Sequence, residues 1–302
     1  MRNYVFIAAF AAAAMLGSCA AQAPETYTEN AVLEEGGQGQ YKAIMVTEPS
    51  LEAHTIFRPQ DLSAFGKKNP MPILVWGNGA CTNSPWEHKL FLNEIASNGF
   101  FVVATGVFPV EGQGHSYYGP MSKSEQQIES IDWAIAQNSD KNSPYYHKLD
   151  VNSIAAAGMS CGGLQTLVNS GDERLKTIMI CNSGSFINPA GAVPGMPMPS
   201  KDDLKNIHTP IMYLLGGPTD IAYENGMDDF NRIDHVPAFA ANYPVGHNGT
   251  YAQPHGGEFA VVATAWLKWQ LKGDKEAGTM FTGNPCGLAS RPDWTADKKG
   301  IE

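Results

Sequence analysis

Three residues of this chain have the types and the order that nucleophilic acyl chemistry needs. Ser160 lies in Gly158-Met159-Ser160-Cys161-Gly162, a G-x-S-x-G pattern extended by Gly163. A serine hydroxyl attacks a carbonyl only when a base takes its proton, and a carboxylate holds that base in the right tautomer. When the serine stands in a strand-turn-helix elbow, the acid and then the histidine follow it along the chain. Asp220 in "GGPTD" and His247 in "PVGHNG" have that order. Asp228 and Asp229 are rival acids within a helical stretch, and His235 and His255 are rival bases.

Such a reaction also needs two backbone N–H groups aimed at the developing oxyanion, one of them from the residue after the nucleophile. That residue is Cys161; the second donor comes from "WGNGACTNS", where Ala80 is the choice and Asn78 the alternative. A glycine-rich loop after a strand can also cradle phosphate, but this one lacks both G-x-G-x-x-G and a Walker lysine.

The elements that must carry these residues follow from the hydrophobic pattern. Short strand-like runs occupy residues 41–47, 54–58, 73–76, 100–105, 154–157, 177–181, 211–215 and 236–241. Helical patterns lie between most of them, at 86–97, at 122–138 with a capping box from Ser122 and Glu125, at 161–169, at 222–233 and at 257–271. Strands alternating with helices, the later strands being continuous apolar runs, predict a mostly parallel eight-stranded sheet covered on both faces. The first two runs have no helix between them, which predicts antiparallel pairing at one edge. Phe259, Val262, Trp266 and Trp269 are at helical spacing and belong to the core, whereas "NPAGAVPGMPMP" at 188–199 reads as a surface loop or small lid.

Composition narrows the partners. Thirty acidic against twenty basic residues leave a net charge of −10, which repels nucleic acid and anionic lipid surfaces. Residues 1–19 read as an export signal, with Arg2 before a short alanine-rich apolar stretch. "LGSC" at 16–19 resembles a lipobox, so a lipid on Cys19 would be the chain's membrane contact; cleavage after "AQA" is the competing reading. The chain is then expected to be exported, as a periplasmic or outer-membrane lipoprotein, and otherwise secreted. Residues 20–40 read as a polar linker and 41–302 as one catalytic domain. Without Cys19, the cysteines at 81, 161, 181 and 286 form an even set with three possible pairings and no zinc-ligand spacing.

The stretches "PILVWGNG", "LNEIASNGFFVVATG", "SIDWAIAQN", "LDVNSIAAAGMSCGG" and "PIMYLLGGPTDIA" together resemble the α/β-hydrolase superfamily. Within it the chain looks most like the dienelactone-hydrolase and polyester-hydrolase, cutinase-like branch. The resemblance implies an α/β-hydrolase fold with Ser160 as nucleophile, Asp220 as acid, His247 as base, and Ala80 and Cys161 as oxyanion donors. It implies an exported ester hydrolase with no metal or organic cofactor, acting on a small or polymeric ester. Amide, peptide or polyamide cleavage by the same residues is the alternative, and a non-catalytic polymer- or glycan-binding protein is a reading from a different class. This chain departs from the branch in having Ala80 in place of an aromatic residue, Met159 before the serine, and "CNSGSF" where a tryptophan is usual. With Cys161 beside the nucleophile, a bond to Cys81 or Cys181 would brace the oxyanion site. Trp86, Tyr117, Tyr118 and His115 are further candidates for lining the cleft.

Overall fold

A computed structural model describes residues 31–108 and 120–302. The proposed export signal, Cys19, His115, Tyr117 and Tyr118 lie outside the described residues. The strands are β1 (Ala43–Val46), β2 (His54–Pro59), β3 (Met71–Gly77), β4 (Phe101–Thr105), β5 (Leu149–Met159), β6 (Leu175–Cys181), β7 (Ile211–Leu215), β8 (Ala238–Asn242) and β9 (Thr295–Lys299). They form one sheet in the order β1-β2-β4-β3-β5-β6-β7-β8-β9. The pairs from β4 through β8 are parallel, while β1, β2 and β9 are joined antiparallel.

Side chains alternate across the pleat with period two, and the two core layers follow this alternation. Leu74, Trp76, Val102, Ala155, Met179 and Leu214 face one layer. It is filled from α1 (Lys89–Ser97) and α5 (Gly257–Lys272) by Phe91, Ile95, Phe259 and Trp266. Ile73, Val75, Val103, Ala156, Ile178 and Tyr213 face the other. There they meet α2 (Glu125–Ser139), α3 (Cys161–Val168) and α4 (Tyr223–Arg232) through Ile131, Leu167 and Phe230. A short helix, α6 (Lys275–Gly278), follows α5, whose end is marked by Gly273 in the left-handed conformation. Trp266 is fully buried and its Nε1 donates to Thr177 Oγ1 at 2.8 Å, tying α5 to β6.

The structure corrects two expectations. Among the described residues the sheet has nine strands, not eight. β9 reads "TADKK", which has no alternating apolar pattern, and it is held instead by backbone pairing to β8 and by Lys299 Nζ donating to the carbonyls of Phe230, Asn231 and Ile233. The capping box from Ser122 is also absent: α2 begins at Glu125, and Ser122 uses both its N–H and its Oγ to donate to the carbonyl of Cys81. The loop at 188–199 contains only a single short turn, Pro189–Gly191. Residues 31–40 lie against the body, with Ala31 and Leu33 buried and Ala31 bridged to Met45.

Candidate active site

Ser160 sits where β5 passes into α3. Its backbone is at φ 52° and ψ −116°, a strained conformation for a residue with a side chain. The turn is held from outside: Ser160 N donates to Cys181 O at 2.9 Å, and Ser183 Oγ donates to Ser160 O at 2.6 Å. Glycine at 162 is required by close approach, because a Cβ there would stand 2.1 Å from the backbone of Gly77 in β3. This contact seats α3 directly on the strand beside its own.

Asp220 and His247 come from the loops after β7 and β8. These loops touch through their glycines: Gly246 N donates to Gly216 O at 2.9 Å, and a Cβ on Gly216 would stand 1.9 Å from Gly246 O. The three side chains form one line. His247 Nδ1 donates to Asp220 Oδ1 at 2.6 Å, and Ser160 Oγ donates to His247 Nε2 at 3.1 Å. With the proton held on Nδ1 and donated to the carboxylate, the Nε2 lone pair faces the serine, which is the tautomer a general base needs.

The Asp220 carboxylate is buried, and its acceptor positions are filled. Oδ1 also accepts from Ala222 N at 2.9 Å, while Oδ2 accepts from Gly216 N at 3.0 Å and Asn182 Nδ2 at 2.7 Å. Burial pushes its pKa upward, but the hydrogen bonds from His247, Ala222, Gly216 and Asn182 outweigh it and hold the carboxyl below its ordinary value. Asp220 therefore stays charged opposite the imidazole.

The rival residues have other partners. Asp229 accepts from Ser185 and pairs with Lys201, and Asp228 pairs with Lys201 and Arg232. His235 Nε2 lies 2.9 Å from Ile207 O. His255 Nδ1 is 3.4 Å from Glu34 and 3.5 Å from Glu94, and it lines a groove of about 840 Å³ with Glu258 and Lys268 that contains none of Ser160, Asp220 and His247.

Ala80 and Cys161 are joined by what lies between them. Ala80 is in a short turn, Gly79–Cys81, at φ 52°, and Cys161 opens α3, where the first N–H groups of a helix lack internal acceptors. A disulfide links Cys81 to Cys161, with the Cα atoms 5.1 Å apart, so the loop that carries Ala80 is fastened to the residue after the serine. Of the partners considered for Cys161, the bond is made to Cys81, and Cys181 and Cys286 are free and buried. Asn78 is occupied elsewhere, its Nδ2 donating to the carbonyls of Thr82 and Thr105. Met159 packs on the same loop, since a Cβ on Gly79 would lie 2.6 Å from its sulfur. Trp86 is partly exposed, with Lys89 Nζ 3.4 Å from its ring centroid. Among the described residues no group of three or more His, Cys, Asp or Glu is arranged to hold a metal.

Sequence reasoning missed Asn182 and Ser183. The signal available was position alone: they leave β6, a strand adjacent to the one that carries the serine. Residues 87–290 match the model of a family described as PETase, PET hydrolase-like. That span contains Ser160, Asp220 and His247 and begins after Cys81. No curated protein matches the chain.

Proposed function

The chain belongs to the PET hydrolase-like family, and from that premise we propose that it is an exported serine hydrolase that cleaves carboxylic esters by way of an acyl-enzyme. The observation that carries the reading is the line of hydrogen bonds from Ser160 Oγ through His247 to Asp220, at 3.1 and 2.6 Å.

In this mechanism His247 Nε2 takes the Ser160 proton as Oγ attacks the ester carbonyl, and the imidazolium so formed is stabilised by the ionised Asp220. The negative charge that develops on the carbonyl oxygen is met by the N–H groups of Ala80 and Cys161. His247 then gives its proton to the departing alcohol, leaving an acyl group on Ser160. Water, deprotonated by the same histidine, releases the acid and restores the serine. No step requires a metal or organic cofactor.

Exposed apolar side chains stand next to two of the three residues in the chain, Ile221 beside Asp220 and Val245 two residues before His247. They offer contact to the apolar part of an ester or polyester chain. Export and a lipid on Cys19 complete the proposal, since a free polymer is met outside the cell.

The test is hydrolysis of short p-nitrophenyl acyl esters by the wild type and by Ser160→Ala. The variant is expected to lose at least about 10³-fold in turnover with its melting curve retained. Equal rates for the two proteins would remove the assignment.

A further inference from the structure

The carboxylate of Asp220 has a neighbour whose polarity is fixed by a residue still further from the serine. Asn182 lies just past β6 at φ 43°, a left-handed conformation that asparagine tolerates better than most side chains. Its own N–H donates to Leu214 O at 2.7 Å, so the residue is anchored to β7, the strand that leads to Asp220. An asparagine amide can be turned either way, and the hydrogen-bond partners decide which way is correct.

Here the partners decide. The hydroxyl of Tyr251 is 2.5 Å from Asn182 Oδ1 and is buried. Burial, with Cys181 and Asp220 close by, raises the phenol well above its ordinary pKa, so it keeps its proton and donates. The amide oxygen therefore faces Tyr251, and the NH₂ group faces Asp220 Oδ2 at 2.7 Å and Gly246 O at 3.3 Å. The opposite orientation would set the amide oxygen against a carboxylate oxygen.

We propose that Asn182, oriented by Tyr251, is a positioning residue that fixes the Asp220 carboxylate and the loop carrying His247 relative to each other. This rests on the serine-hydrolase reading above. One side chain bonds the acid and the residue before the base, and its two neighbours in the chain bond the nucleophile's backbone: Cys181 O accepts from Ser160 N, and Ser183 Oγ donates to Ser160 O. The titratable groups that face this contact are Asp220, His247, Tyr251 and Cys181.

The experiment compares Asn182→Ala and the isosteric Asn182→Asp with wild type, measuring kcat and KM on p-nitrophenyl butyrate from pH 5 to 9 and the His247 titration by NMR of histidine-labelled protein. Removing a hydrogen bond to a charged group should lower kcat by about 10- to 100-fold in Asn182→Ala, with KM within about twofold. In Asn182→Asp two buried carboxyl groups would stand about where Asn182 Nδ2 and Asp220 Oδ2 now meet at 2.7 Å, so they share one proton and titrate as a pair, and the acid limb of the rate profile and the NMR midpoint of His247 should both move from their wild-type positions by about half a pH unit or more. Wild-type kcat together with an unmoved His247 midpoint in both variants would overturn the proposal. If Asn182→Ala does not fold, Asn182→Asp decides. If neither does, Tyr251→Phe decides, and it should lower kcat by about twofold or more with KM unchanged. A wild type without Ser160-dependent turnover would defeat the functional reading instead, and the NMR midpoint in Asn182→Asp would still report on Asn182.

Discussion

The two sides of the candidate site are built from different materials. On the side of the serine and the Ala80 loop, the fixings are covalent and steric: the Cys81–Cys161 bond, the seating of Gly162 on Gly77, and the Gly79 to Met159 contact. On the side of the proposed acid and base, they are hydrogen bonds among buried polar groups, running from Tyr251 through Asn182 to Asp220 and His247. The first kind of construction suits groups that must stand still, because an N–H dipole aimed at an oxyanion is useful only at a fixed place. The second suits groups between which a proton moves, because hydrogen bonds hold position and set charge at once.

If this contrast is right, damage on the two sides has different signatures. The largest expected effect is on the acid–base side. Asp220→Asn should reduce ester turnover by about 10⁴-fold, as loss of the carboxylate leaves the imidazole without its partner. Its melting temperature should change by about 5 °C or less. Kinetics and thermal melts on one preparation check both, and a variant that melts far lower would erase the contrast.

On the serine side the effect should fall on stability and activity together. The disulfide closes a sequence separation of 80 residues, for which chain entropy gives up to about 4.5 kcal/mol of stabilisation. Reduction, or the double substitution Cys81→Ser with Cys161→Ser, should lower the urea midpoint and also kcat, since Ala80 and Cys161 would no longer be tied. A reduced protein with unchanged kcat would show that the proposed oxyanion donors need no covalent tie.

The smallest effect at neutral pH concerns His88, buried behind the same loop with its ring 5.2 Å from Trp76 and 5.1 Å from Tyr251. Burial lowers its pKa from 6.5 to about 3, so the folded chain keeps it neutral where the unfolded chain binds a proton. The unfolded state therefore gains as pH falls, and stability should decline from about pH 6.5 toward 3 at up to about 1.4 kcal/mol per pH unit. His88→Phe should flatten that decline in unfolding curves between pH 4 and 7. An equally steep decline in the variant would assign the slope to other groups.

How far the sequence could be read differs between the parts in the same physical way. The parallel strands were legible through their buried apolar runs, although β5 reaches back from 154 to Leu149 through mostly polar, part-exposed residues, and the antiparallel edge because no helix separates 41–47 from 54–58. β9 was not, since its polar residues carry no pattern and its pairing is made by backbone atoms. Ser160, Asp220 and His247 could be picked out because chain order in this kind of elbow is constrained, and the structure brings their side chains into one hydrogen-bonded line. Asn182 could not, because an asparagine after a strand has no motif and the way its amide is turned depends on which neighbour donates. The choice of Cys81 for Cys161 likewise needed the distance between β3 and β5, which adjacent pairing in the sheet supplies.

The Cys81–Cys161 bond also changes what a protease does to this molecule. A single cut at any peptide bond from 82 to 160 leaves one covalent body, with the Ala80 loop still attached to the segment that carries Ser160. A reductant alone leaves one continuous chain. Only the two together release a separate fragment bearing β1 to β3 from one bearing Ser160, Asp220 and His247. A nicked preparation can therefore keep its full mass on a non-reducing gel, and only the reducing lane would reveal the cut.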